Sequence, residues 1–176
     1  PQASLTVIDQ STGEVKAIVG GRGDKTASKT LNRATDTTRQ PGSTFKILAA
    51  YSAALDAGGL TLASVQDDAP YTYAGANGKS VNNYDRRYRG FTTLREAITD
   101  SINIVTVKTL AQAGVSLGWQ YVQEYGFTTV DSRDMNEALA LGGITQGVSN
   151  LELTAAYAAI ANQGTYTRPV FYSQVI

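Results

Sequence analysis

The stretch that most limits how this chain can fold is the run "STFKILAAYSAALDA", residues 43–57, set between Pro41-Gly42 and Gly58-Gly59. Phe45, Leu48, Tyr51 and Leu55 recur at helical spacing, and Ile47 and Ala54 widen the stripe. The spacing therefore predicts a helix over 43–57 with that face buried. Gly58 is its stop. One residue does not suit an apolar helix: Lys46 lies inside the run, three positions after the serine that starts it.

A second set of signals extends the pattern. Thr93-Leu94-Arg95-Glu96 and Ser149-Asn150-Leu151-Glu152 have the spacing of capping boxes, in which the two side chains serve each other's backbone N–H groups. They predict helices from there to about Thr99, and from Ser149 to a stop before Gly164. Two further helices are expected from near Ser101 to near Gly114, and from about Leu117 to Tyr125. Ahead of all of these, "SLTVIDQSTGEVKAIVG" (residues 4–20) reads as two strands around a Ser11-Thr12-Gly13 turn, where glycine supplies the positive φ. Residues 20–40 read as a long polar loop and residues 59–91 as irregular. The last seven residues, "VFYSQVI", read as the start of another strand, so both ends look cut rather than finished.

Composition narrows the chemistry. A chain of 176 residues is long enough for one domain with a real core. Its formal net charge is zero, which argues against an electrostatic grip on nucleic acid or anionic lipid. No transmembrane stretch is visible in the sequence. The chain has neither cysteine nor histidine. Thiolate and disulfide chemistry are excluded, and acid–base work falls to Lys, Asp, Glu or Tyr.

Within those bounds Ser43 and Lys46 are the candidate pair. On a helix the residue three positions on shares a face, and long side chains lean back toward the N-terminus. Burial disfavours the ammonium form, so a neutral Lys46 could take the Ser43 proton and activate the hydroxyl without histidine. The unpaired N–H groups at the helix start face a developing oxyanion. Spacing alone also fits a serine cap followed by a solvated lysine. The Pro-Gly lead and the apolar neighbours of Lys46 favour the pair. Ser101-Ile102-Asn103, at a junction of two helices, offers a hydroxyl to relay a proton and an amide to hold a substrate carbonyl or the lysine; it also fits a helix cap. A rival Ser80-Val81-Asn82 lies in the Gly/Asn-rich segment, where nothing rigid is expected to hold it.

Three blocks, "LNRATDTTRQPGSTFK", "NNYDRRYRGFTTLREAITDSIN" and "ALALGGITQGVSNLELTAAYAAIANQGTY", together resemble the transpeptidase domain of class A penicillin-binding proteins, in the same order and over nearly the whole chain. The resemblance implies an α/β (α+β) acyl-serine transpeptidase or β-lactamase-like fold: an antiparallel sheet flanked by helices, with the first hairpin and the helical region here. It makes Ser43 the acylated nucleophile, Lys46 its proton acceptor, and Ser101 and Asn103 the second motif. It implies a serine-type D-Ala-D-Ala transpeptidase or carboxypeptidase acting on peptidoglycan stem peptides and blocked by β-lactams. No cofactor or metal is expected, and the site would lie outside the cytoplasmic membrane, anchored by a parent protein. The Lys-Thr-Gly motif of the family is missing from residues 1–176. These residues are therefore expected to be the N-terminal part of the domain, completed by a second polypeptide and inactive without it.

Other readings weighed against this one are a β-lactamase and a non-catalytic β-lactam receptor or scaffold. A lactamase needs a base for the deacylating water. The downstream carboxylates Glu124, Glu137 and Glu152 each read as ordinary helix-surface residues. Tyr84, Arg86, Arg87, Tyr88 and Arg89 interleave aromatics with arginine, as nucleic-acid binding would. With zero net charge they read instead as a solvated loop. A glycan or peptide contact by Tyr71, Tyr73 or Tyr84 has no assignable partner in the sequence.

Overall fold

The computed structural model describes residues 1–74, 78–172 and 174. In chain order the elements are β1 (Leu5–Ile8), β2 (Val15–Val19), β3 (Thr38–Arg39), a helical stretch ending in α1 (Ser52–Asp56), β4 (Val65–Asp68), β5 (Tyr71–Thr72), β6 (Ser80–Val81), β7 (Gly90–Thr93), α2 (Leu94–Thr99), α3 (Asn103–Ala113), α4 (Val115–Glu124), β8 (Val148–Ser149) and α5 (Asn150–Ala161). They sort into two compact units. Pro1–Gln40, Gln123–Val130 and Gln146–Ile176 form one, and Pro41–Val122 with Asp131–Thr145 the other.

The first unit is built on the hairpin expected from the sequence. β1 and β2 pair antiparallel, Leu5 opposite Val19 and Val7 opposite Ala17, with an irregularity before Ile8. The Asp9 carboxylate accepts from the Ser11 and Thr12 N–H groups and tightens the turn. Gly13 (φ 77°) is required twice over, since a methyl there would also lie 2.5 Å from the Arg168 carbonyl oxygen. β3 and β8 form a second antiparallel pair. α5 packs against β1, and its Ser149–Glu152 capping box is present as the sequence predicts. Ala155, Ala156 and Ala159 form its buried face. Of the expected final strand, Val170 makes a parallel bridge with Glu14, and Phe171, Tyr172 and Gln174 lie outside any strand; Ser173, Val175 and Ile176 lie outside the described residues.

The second unit has the stretch at residues 42–56 as its centre. It is helical, as predicted, but not one regular α-helix. A 3₁₀ turn (Gly42–Thr44) leads into a π-helical segment (Ile47–Tyr51) and then α1. Leu48, Ala49, Ala50 and Tyr51 are consecutive and all buried, which an amphipathic surface helix cannot achieve. Its neighbours are α3, of which Ile104, Val105, Thr106, Val107, Thr109 and Leu110 are buried, the Glu137–Leu141 turn and, around Gly118, α4. At Gly118 of α4 a methyl would stand 2.4 Å from the Ala49 carbonyl oxygen, so only glycine permits that approach. Tyr51, Leu94, Ala97, Ile102 and Val105 make one packed cluster. Burying a side chain of the larger kind stabilises by about 1.5–3 kcal/mol.

The described residues of 59–91 are more ordered than their composition suggested. β4 pairs antiparallel with β7, and β5 with β6. These strands carry exposed Val65 and Phe91 beside buried Asp68 and Thr92, so no clean polar–apolar alternation announced them. The Thr93–Glu96 capping box opens α2 directly from β7. Two 3₁₀ turns, Ser132–Asp134 and Glu137–Leu141, complete the unit.

Candidate active site

Ser43 stands exposed in the 3₁₀ turn that Pro41 opens. Gly42 takes a left-handed conformation (φ 57°), and the Thr44 hydroxyl donates to the Pro41 carbonyl at 2.7 Å. Gly142, at the end of the Glu137–Leu141 turn, backs this corner. A methyl on it would lie 2.6 Å from both the nitrogen and the oxygen of Gly42.

One turn on, Lys46 is only 3% exposed. Its Nζ donates to the Ser101 carbonyl (2.5 Å), the Ser101 hydroxyl (2.8 Å) and Asn103 Oδ1 (2.6 Å). Three donors meet three acceptors, the full complement of an ammonium group. Burial nevertheless pulls the amine down from the ordinary lysine value to about 8. The structure thus brings Lys46, Ser101 and Asn103 together. It does not join Ser43 to Lys46 by a hydrogen bond, as the helical spacing had suggested. Three junction oxygens satisfy the whole ammonium group, which a single serine hydroxyl could not do.

The junction itself is unusual. Ser101 adopts φ 54°, at the position where a helix C-terminus normally carries glycine. The Ile102 N–H bonds the Ala97 carbonyl and the Ser101 N–H the Ile98 carbonyl, the double closure of a Schellman motif ending α2. A left-handed serine costs about 1–2 kcal/mol. Held there, it presents both its carbonyl and its hydroxyl to Lys46.

Sequence reasoning missed Asn83. Ile102, at the N-cap of α3, offers no side-chain cap. Asn83 Oδ1 takes that role from outside the helix, accepting from the Asn103 and Ile104 N–H groups at 3.1 and 3.2 Å. The adjacent Asn82 carbonyl accepts from Asn103 Nδ2 at 2.8 Å. The Ser80–Asn82 segment, expected to be unheld, is therefore anchored: Ser80 and Val81 form β6, Val81 is buried, and Asn82 touches the site through its backbone. The signal available in the sequence was only a pair of asparagines ahead of a helix without a cap of its own.

The carboxylates also differ from expectation. Glu137 is buried, not on the surface, and accepts from the Tyr71 hydroxyl and the Ala74 N–H, both at 2.9 Å. Burial, reinforced by Glu137, pushes the Tyr71 phenol up to about 12. Glu152 is partly buried, engaged in its capping box and with the Thr128 N–H and hydroxyl. Glu124 is exposed on α4. Among the described residues no helix is long and apolar enough to cross a membrane.

The family described as the penicillin binding protein transpeptidase domain matches residues 3–176. Penicillin-binding protein 1F of Bacillus subtilis is 43% identical over 99% of this chain and 23% of its own length. Penicillin-binding protein 1A of Clostridium tetani is 37% identical over 100% of this chain and 24% of its own. The crystal structure of penicillin-binding protein 1A from Haemophilus influenzae superposes with a TM-score of 0.84 at 31% identity, covering 96% of this chain and 25% of that one. The chain thus spans about a quarter of the length of the relatives it matches. On a match that runs from residue 3 to residue 176, the chain belongs to the penicillin-binding protein transpeptidase family, whose general chemistry is acyl transfer through a serine.

Proposed function

We propose that these residues carry the acylation machinery of a peptidoglycan D,D-transpeptidase, with Ser43 as nucleophile and Lys46 as the base. The observation that carries the reading is the buried amine of Lys46, one helical turn from Ser43 and held by Ser101 and Asn103. Ser43 Oγ attacks the penultimate carbonyl of a stem peptide ending in D-Ala-D-Ala. Its proton passes to Lys46, and the Ser101 hydroxyl relays it to the nitrogen of the departing D-Ala as the C–N bond breaks. An acceptor amine then attacks the ester, the C–O bond to Ser43 breaks, and the serine recovers its proton. Water in place of the amine gives carboxypeptidase activity. Contacts of this kind in an unliganded site tighten when substrate binds, so Ser43 needs no bond to Lys46 beforehand. Asn103 orients the amine, and N–H groups at the helix tip supply part of the oxyanion hole.

The reading includes β-lactams as acylating ligands and a location on the outer face of the cytoplasmic membrane through a parent protein. It also assigns the Lys-Thr-Gly strand to a second polypeptide that completes the domain. Full-rate acylation by residues 1–176 alone would refute that assignment. Labelling with fluorescent penicillin tests the core of the reading: Ser43→Ala should abolish the covalent label. A label of undiminished intensity would remove Ser43 from the mechanism. With nitrocefin, a single burst is expected; sustained fast turnover would replace the transpeptidase with a lactamase.

A further inference from the structure

We infer that Asp68 and Asn83 are positioning residues for acylation: the carboxylate of Asp68 orients the Asn83 amide, and Asn83 in turn sets which end of Asn103 faces Lys46. The inference rests on the acyl-serine reading above and adds to it two side chains that touch no substrate.

Asp68 ends β4 and is fully buried. Both its oxygens accept from Asn83 Nδ2, at 2.8 and 3.0 Å, and Oδ2 also accepts from the Arg89 N–H at 2.9 Å. The Arg89 guanidinium, 3.9 Å away, offsets its charge. A carboxylate can only accept, so the NH₂ end of Asn83 must face it. That same NH₂ also reaches the Arg87 carbonyl at 2.8 Å. The Asn83 carbonyl end is thereby turned to the bare start of α3, where it meets the Asn103 and Ile104 N–H groups. With Asn83 fixed, the Asn82 carbonyl meets Asn103 Nδ2, which leaves Asn103 Oδ1 as the end presented to Lys46. A reversed Asn103 would set an NH₂ group against an ammonium group. One buried carboxylate, through two amides, therefore decides whether the lysine is held by an acceptor or repelled by a donor.

A network that only held the fold together would change stability and activity in step, so the test separates the two. In the full-length protein, penicillin acylation would be followed by stopped flow for wild type, Asn83→Asp, Asp68→Asn/Asn83→Asp and Thr93→Ala. Asn83→Asp keeps a cap for α3 but sets a carboxylate against Asp68. The double variant restores an amide opposite a carboxylate with the partners exchanged. Thr93→Ala removes the cap of α2, away from the network. For Asn83→Asp the acylation rate at saturating penicillin should fall about 10- to 100-fold, as expected of a misplaced catalytic group, with the half-saturating concentration changed less than about threefold. The double variant should recover to within about fivefold of wild type, and Thr93→Ala should stay within about twofold. Wild-type acylation by Asn83→Asp, no recovery in the double variant, or an equal rate loss in Thr93→Ala would each overturn the inference. Should Asn83→Asp not fold, Asp68→Asn alone gives the same readout with the shape preserved. Labelling that persists in Ser43→Ala sinks the acyl-serine reading instead, and so distinguishes the two failures.

Discussion

The protonation of Lys46 gives the sharpest prediction, and the perturbation is pH itself. The amine sits at about 8 because it is buried. At pH 7 about one amine in ten is then neutral, the form the proposed mechanism needs to take the Ser43 proton; at the ordinary lysine value it would be about one in three thousand. The structure therefore makes a few hundredfold difference to the population of competent base. Between pH 7 and 8 the acylation rate should rise about fivefold, and it should level off above about pH 9. The assay is stopped-flow acylation by a fluorescent penicillin at saturating concentration from pH 6 to 10, with Ser43→Ala as the blank. A rising limb centred near 10, or a rate flat across the range, would refute the account of Lys46 as a desolvated base. Folding must follow the same linkage. The folded amine binds its proton less tightly than the unfolded one, so this group's contribution is complete above about 10.5 and is lost as pH falls through about 8. Denaturant titrations should show stability rising with pH in that window.

Two other predictions concern the backbone that frames the site. Gly142→Ala sets a methyl against Gly42 and places a side chain at φ 72°, so it should lower stability by about 2–3 kcal/mol and slow acylation through the displaced Ser43 turn. Thermal melts and labelling rates measure both effects, and a melting temperature like that of wild type would show that the corner yields. Ser101→Gly and Ser101→Ala both lose the hydroxyl, but only alanine keeps the left-handed strain. Ser101→Gly should be more stable by about 1 kcal/mol in urea titrations, with equally slow acylation. Equal stabilities would mean that position 101 does not carry the strain its φ implies.

Much of the secondary structure was legible in the sequence because its signals are local. The hairpin turn at Ser11–Gly13, the two capping boxes and the glycine stops each depend on residues within a few positions of one another. So does the 43–57 run, where apolar spacing announces burial. The short strands β4 to β7 were hidden because each takes its identity from a partner elsewhere in the chain, and buried polar residues break their alternation. The π-helical turn at Ile47–Tyr51 was hidden as well, since residue types alone do not separate it from an α-helical turn.

The site divides along the same line. Sequence alone selected Ser43, Lys46, Ser101 and Asn103, because motif spacing and resemblance need no coordinates. Tertiary structure decided where the lysine amine points, and it chose the α2–α3 junction over the neighbouring serine. It also supplied Asn83, which comes from elsewhere along the chain to cap a helix that has no cap of its own, and Asp68, which holds the Asn83 amide. The physical reason is that a buried ammonium or carboxylate takes whichever donors and acceptors lie within reach, and reach is set by packing rather than by position along the chain.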